Sequence, residues 1–292
     1  MKKIGKLLSI VLAITVLSVL LTACGSKPAP AATAGASAAP ATEQPLSGTV
    51  ATNGSTSMEN VIGALKEQFM NDNSGVTVSY DATGSGTGIE SVANGTCDIG
   101  LSSRALKAEE TAKGLVGTTI ALDGIAIIVN AGSKVSNLTV DQIAQVFTGK
   151  VTDWSAVGGD AGAIACIGRE SGSGTRDGFE SITKTADKCK LAQELTSTGA
   201  VIEAVKNNKS AIGYASLSAA EGQDGIKILS VGGVTCSEAT VLDGTYVIQR
   251  PFLLVTKSAA PLSATAQAFF NFATSKDASS LIEKAGAVPA SK

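Results

Sequence analysis

From about residue 48 onward, two spacings of apolar residues alternate along the chain. Thr49-Val50-Ala51 is a short strand pattern, and Met58, Val61, Ile62, Leu65 and Phe69 then recur at the spacing of a helix with one buried face. Val76-Thr77-Val78-Ser79-Tyr80 alternates as a strand does. Ile89, Val92 and Ala93 mark a short helix that Gly95 is placed to end, and Cys97 to Leu101 is a small apolar strand. This strand–helix succession predicts an α/β sheet. Further on, Thr139 and Gln142 have the spacing of a capping box ahead of Ile143, Ala144 and Phe147, with Gly149 closing that helix. A strand over 163–168, helices around Phe179-Ile182 and over 201–206, and a strand over 211–215 follow. The end of the chain reads as two helices, one with Ala266, Phe269, Phe270 and Phe272 and one with Leu281 and Ile282, that pack back on the first part.

Two runs are too long for single strands of one small sheet. Thr119 to Asn130 is apolar and β-branched, interrupted at Asp123-Gly124, and Tyr246 to Val255 is a second extended run. We read them as two strands crossing between lobes. Residues 48–125 and 250–292 then form lobe 1 and residues 126–249 form lobe 2. Such a hinge places a ligand cleft between the lobes, a preferred position for small-molecule sites.

The first 47 residues stand outside this alternation. Lys2, Lys3 and Lys6 precede an apolar run from Leu7 to Leu21, and Leu21-Thr22-Ala23-Cys24 ends it. A basic start, an apolar stretch and small residues before a cut describe a secretory signal over 1–23. The cysteine at the cut fits a lipobox, with Cys24 lipidated as the mature N-terminus. Residues 24–47 are rich in Ala, Pro, Thr, Ser and Gly without apolar periodicity, the composition of a flexible tether. Without the three lysines of the signal, 20 basic residues face 25 acidic ones, a net charge of −5. That balance excludes a nucleic-acid binder of the usual basic kind. Cys97, Cys166, Cys189 and Cys236 could form disulfides in an exported chain, in pairings the sequence does not choose. With no His and no CxxC, metal binding is disfavoured, and the commonest general base is missing.

Four segments share one chemistry. Gly54-Ser55-Thr56-Ser57, Gly84-Ser85-Gly86-Thr87-Gly88, Ser102-Ser103-Arg104 and Arg169-Glu170-Ser171-Gly172-Ser173-Gly174-Thr175-Arg176 put glycine and hydroxyl residues just after strands or before helices. A helix start offers unpaired N–H groups and a partial positive charge, so anions bind there. Glycine admits close approach, and Ser and Thr add donors without bulk. Singly, each loop reads as an ordinary cap or turn. Together, at strand–helix junctions of one α/β fold, they converge on a crevice. Of the four arginines, Arg104, Arg169, Arg176 and Arg250, three lie in or beside these loops, and arginine suits oxyanions. None of the loops is a dinucleotide, P-loop or nucleophile-elbow motif.

On these four motifs, with Phe147-Thr148-Gly149-Lys150, Asp153-Trp154 and Ile212-Gly213-Tyr214, the chain resembles the phosphate-binding proteins of bacterial phosphate ABC transporters. These belong to the type II periplasmic-binding-protein fold, and the likeness covers residues 48 to 292. It implies an exported, monomeric, lipid-anchored receptor on the outer face of the cell membrane. Such a receptor takes inorganic phosphate to a permease and ATPase on other chains, without catalysis. It also implies phosphate contacts from Thr56, Ser57, Ser85, Ser103, Arg169, Ser173, Gly174 and Thr175, and Arg104 is added as a neighbour that either enters the site or braces its loop. Two positions depart from the pattern. Ser103 and Ser171 stand where well-known members carry acidic residues, the first of which accepts the hydrogen of protonated phosphate. Glu170 or Asp98 could serve instead, and a serine hydroxyl both accepts and donates. The alternatives are a receptor for another tetrahedral oxyanion, such as sulfate or molybdate, a surface phosphatase, and an adhesive or signalling protein with a vestigial site.

Overall fold

The computed structural model describes residues 45–290. The expected signal over 1–23, Cys24 and most of the tether lie outside the described residues.

The alternating segments form one curled, ten-stranded sheet flanked by helices. Its main order, from one edge, is Gly75–Ala82, Ser47–Gly54, Ile99–Ser102, Gln249–Lys257, Leu115–Asn130, Ala211–Ser216, Ala165–Arg169 and Gln193–Leu195. The 16-residue strand Leu115–Asn130 belongs to both halves. Up to Gly124 it runs antiparallel to Gln249–Lys257, and from Ile125 it pairs with Ala211–Ser216. The expected interruption at Asp123-Gly124 is thus a change of partner within a continuous strand. Glycine is required at 124, because a Cβ there would come within 2.8 Å of Cys236 Sγ. The return run forms a strand from Gln249 onward. Ahead of it, Ile125 N–H donates to Ile248 O at 2.7 Å and the buried Tyr246 hydroxyl donates to Ile125 O at 2.9 Å, which anchors the second crossing to the first.

Each half has its own core. One holds Val50, Met58, Ile62, Leu65, Ile99, Leu101 and Phe252, and the terminal helices Ala264–Ala273 and Ser279–Lys284 add Ala266, Phe269 and Ile282 to it. The other is built on the unbroken apolar run Ile125 to Val129, the pattern of a strand covered on both faces, with Phe147, Phe179 and Tyr214. Phe179 stacks on Tyr214 at 4.3 Å between ring centres, and Phe147 meets Phe179 edge-on at 4.7 Å. The Tyr214 hydroxyl accepts the backbone N–H of Arg169 at 3.0 Å, so this aromatic cluster also fixes the end of the strand that carries Arg169.

All four cysteines of the folded part are free thiols. Burial pushes Cys166 and Cys236 up to about 12 and Cys97 and Cys189 up to about 11, so they are protonated and unreactive near neutral pH.

Candidate anion-binding site

Each glycine–hydroxyl segment sits at a carboxyl end of a strand. Gly54 ends Ser47–Gly54 with φ 143°, and a Cβ there would overlap the Leu101 carbonyl oxygen. The bare backbone lets two strand ends touch. Ser55 accepts the Ser57 N–H and opens the turn Thr56–Met58, which leads into helix Glu59–Asp72. Gly84, with φ 102°, precedes helix Ser85–Asn94, and the N–H groups of Thr83 and Gly84 both donate to Gly54 O, joining the first two loops. Ser103 follows strand Ile99–Ser102 and donates its N–H to Ser85 Oγ at 3.0 Å. In the other half, Arg169 ends its strand, and Ser173 caps helix Gly174–Thr183 by accepting the Arg176 N–H.

The two sets meet face to face. Ser57 Oγ lies 2.7 Å from Thr175 Oγ1 and 3.0 Å from Thr198 Oγ1, and Thr56 Oγ1 lies 3.0 Å from Thr198 Oγ1. Ser85 Oγ and Ser103 Oγ are 3.2 Å apart. The Gly174 backbone presses on that pair, and a Cβ on it would stand 2.6 Å from Ser103 Oγ. Gly86 N–H donates to Gly172 O at 2.9 Å across the same seam. All these hydroxyls are buried. A groove of about 340 Å³ leads outward from Thr56, Ser57 and Thr198 past Asn60 and Glu203.

Arg169, 2 % exposed, reaches into this ring. Its Nη1 donates to Thr56 Oγ1 at 2.9 Å and Thr198 Oγ1 at 3.3 Å, while Nε and Nη2 donate to the carbonyls of Leu195 and Thr196. Among the described residues, no carboxylate makes an ion pair with it. Burial lowers its pKa to about 10, so it remains a cation at neutral pH. A buried cation that bonds neutral oxygens in a ring of helix starts is a site built to be completed by negative charge. Arg250 is different. Its Nη1 donates to Ser103 O and Thr175 Oγ1, both at 3.0 Å, but its Nη2 is paired with the buried Asp123 at 3.0 Å.

The structure thus brings together Thr56, Ser57, Ser85, Ser103, Arg169, Ser173, Gly174 and Thr175. It does not bring in Arg104. That guanidinium donates to both oxygens of Glu110 at 2.8 and 2.7 Å and forms an ion pair with Asp177 at 2.9 Å, because two carboxylates compete for it more strongly than neutral hydroxyls can. Arg176 is also structural, paired with Glu180 at 2.8 Å and donating to Arg169 O. Asp98, one suggested acceptor, takes the Ala51 N–H at 2.7 Å, while Glu170 lies near enough to Arg169 to favour its cationic form. Sequence reasoning missed Thr198. It follows the cap Ser197 at the start of helix Thr198–Lys206, and Thr196-Ser197-Thr198-Gly199 has the same hydroxyl and glycine composition as the other loops.

Two lobes on crossing strands, with helix starts and an unpaired arginine meeting between them, define a two-lobed solute-binding protein. The comparisons place the chain more narrowly. A family model described as PBP superfamily domain matches residues 39–277, and the chain belongs to that family, among relatives of the phosphate-binding protein PstS. It is 30% identical to the phosphate-binding protein PstS of Borreliella burgdorferi, over 81% of this chain and 88% of the relative. It is 31% identical to that of Bacillus subtilis, over 85% and 82%. Among solved structures, it is similar to a putative phosphate ABC transporter substrate-binding protein with bound phosphate from Clostridium perfringens. The identity is 34%, the TM-score 0.80, and the match covers 83% of this chain and 99% of that one.

Proposed function

We propose that this chain captures inorganic phosphate outside the cytoplasm and delivers it to an ABC importer. The observation that carries the reading is Arg169: a buried, unpaired guanidinium among hydroxyls and helix starts. Thr56, Ser57 and Thr198 would donate from one edge of the ring and Ser85, Ser103, Gly174 and Thr175 from the other, with Ser173 holding its helix start in place. Relatives named for phosphate support the choice of anion. The lobes would be residues 48–125 with 250–292, and 126–249; the first core draws on the first set, while the second core takes Ile125 and Val288 besides residues of its own set. Relatives named for binding support a binding role. The chain would act as a monomer, with a permease and an ATPase supplied by other chains.

One observation favours a second reading. Ser103, at the ring, carries a hydroxyl and not a carboxylate, and a hydroxyl can donate to sulfate where a carboxylate would be left unpaired. A receptor for sulfate or a related tetrahedral oxyanion follows from that. Titration calorimetry on the full-length chain, solubilised and stripped of bound anion, separates the two. Heat with phosphate and none with sulfate supports the phosphate receptor; heat with sulfate transfers the site to the wider oxyanion class; heat with neither removes both.

We also propose that Cys24 is lipidated and holds the protein to the outer face of the membrane after residues 1–23 are removed. Cys24→Ser is expected to move the protein from the membrane to the soluble fraction on cell fractionation. Retention in the membrane would remove the anchor assignment.

A further inference from the structure

We propose that Arg104, Lys107 and Asp177 form a latch between the lobes, which sets how tightly the closed cleft holds its anion without touching the anion. The inference rests on the reading above, in which the lobes close on a ligand. Arg104 follows the strand Ile99–Ser102, on the side of the first core. Its guanidinium is held there by both oxygens of Glu110 and by the carbonyl of Ala105. Asp177 lies on the side of the second core, in the first turn of Gly174–Thr183, the helix whose start supplies Gly174 and Thr175. Arg104 Nε reaches Asp177 Oδ2 at 2.9 Å, and Lys107 Nζ stands 3.6 Å from the same oxygen.

Three features make this contact a closing device and not an ordinary surface pair. Arg104 is already oriented by Glu110, so little side-chain freedom remains to be lost when Asp177 arrives. The side chains of Arg104 and Asp177 are 8% and 29% exposed, which partly shields the pair from screening. Asp177 is also bound rigidly to the anion ring through its helix: moving Asp177 away from Arg104 moves Thr175 away from Ser57 and Gly174 away from Ser85. When the lobes part, Arg104 keeps Glu110 and loses Asp177, so the pair favours the closed state alone. A binding-competent state made less populated weakens apparent affinity by the same factor, with every anion contact intact.

The test is a cycle of Asp177→Asn, Arg104→Gln and the double variant on the full-length chain. Phosphate affinity and release rate are measured by calorimetry and stopped-flow, and the radius of gyration by small-angle scattering with and without phosphate. The latch predicts that each single variant binds on the order of tenfold more weakly, mainly through faster release, with the double variant no worse than the worse single. It also predicts that each variant is larger than the parent in solution. Unchanged affinity and radius in Asp177→Asn, or fully additive losses in the double variant, would overturn it. The scattering arm is independent of the ligand. If the parent binds no phosphate, the proposed function fails, while an unchanged radius in both single variants would still sink the latch and an increase would uphold it.

Discussion

Arg169→Ala is expected to weaken phosphate binding by about 2–5 kcal/mol, roughly 30- to 5,000-fold, the range for truncating one partner of a buried, hydrogen-bonded charge pair. The size follows from the setting. The guanidinium is 2 % exposed and, among the described residues, makes no ion pair with a carboxylate, so a bound anion would supply its main counter-charge. The same substitution takes the side-chain donor from the carbonyl of Thr196 and one of two donors from that of Leu195, which keeps the Glu170 N–H, so a moderate fall in melting temperature accompanies the loss. Arg169→Lys distinguishes the two effects. One ammonium keeps the charge but cannot span Thr56 and both carbonyls, so affinity should fall between parent and alanine variant. Calorimetry with a parallel melting curve checks both. Affinity within threefold of the parent in the folded alanine variant would mean that the hydroxyl ring does not bind the anion.

The legible parts of the fold and of this site are those whose chemistry is local. Ser55, Thr139 and Ser173 each cap the helix that begins beside them, and their partners lie two or three residues away. A reader of the sequence therefore finds the loop ends at once. The alternation of spacings gives the strands and helices around them, and the two long apolar runs give the crossings. What the sequence hides is decided at long range. Thr198 meets Thr56 across 142 positions, and no local signal distinguishes it from an ordinary capping residue. Arg104 sits next to a ring serine, yet its fate depends on Glu110 six residues on and on Asp177 in the other half. Arg250 reads as one polar residue in an apolar strand, and its role appears once Asp123 is seen in register beside it. Short strands such as Gln193–Leu195 carry too few residues to show a period.

Gly174→Ala is expected to separate folding from closure. Position 174 is the first residue of a helix, where alanine is a better helix former than glycine by about 1 kcal/mol or less, so the ligand-free protein should melt at the same temperature or slightly higher. The closed cleft has no room for the added methyl. It would overlap Ser85 Oγ, stand 2.6 Å from Ser103 Oγ and 3.0 Å from Ser85 Cβ. The two hydroxyls can turn aside only by giving up the bond that Ser103 N–H makes to Ser85 Oγ, which leaves a buried donor unpaired at a cost of about 1–3 kcal/mol. If they stay, the lobes are held apart, and the N–H groups at the start of helix Gly174–Thr183 do not reach the anion that Thr56 and Ser57 hold. Either route weakens phosphate binding, by roughly 10- to 100-fold or more, while stability is kept. The pairing of the two readouts is the point of the experiment. A variant that loses both affinity and melting temperature would show Gly174 serving the helix itself, and one that loses neither would show that the lobes do not close on the anion at this seam.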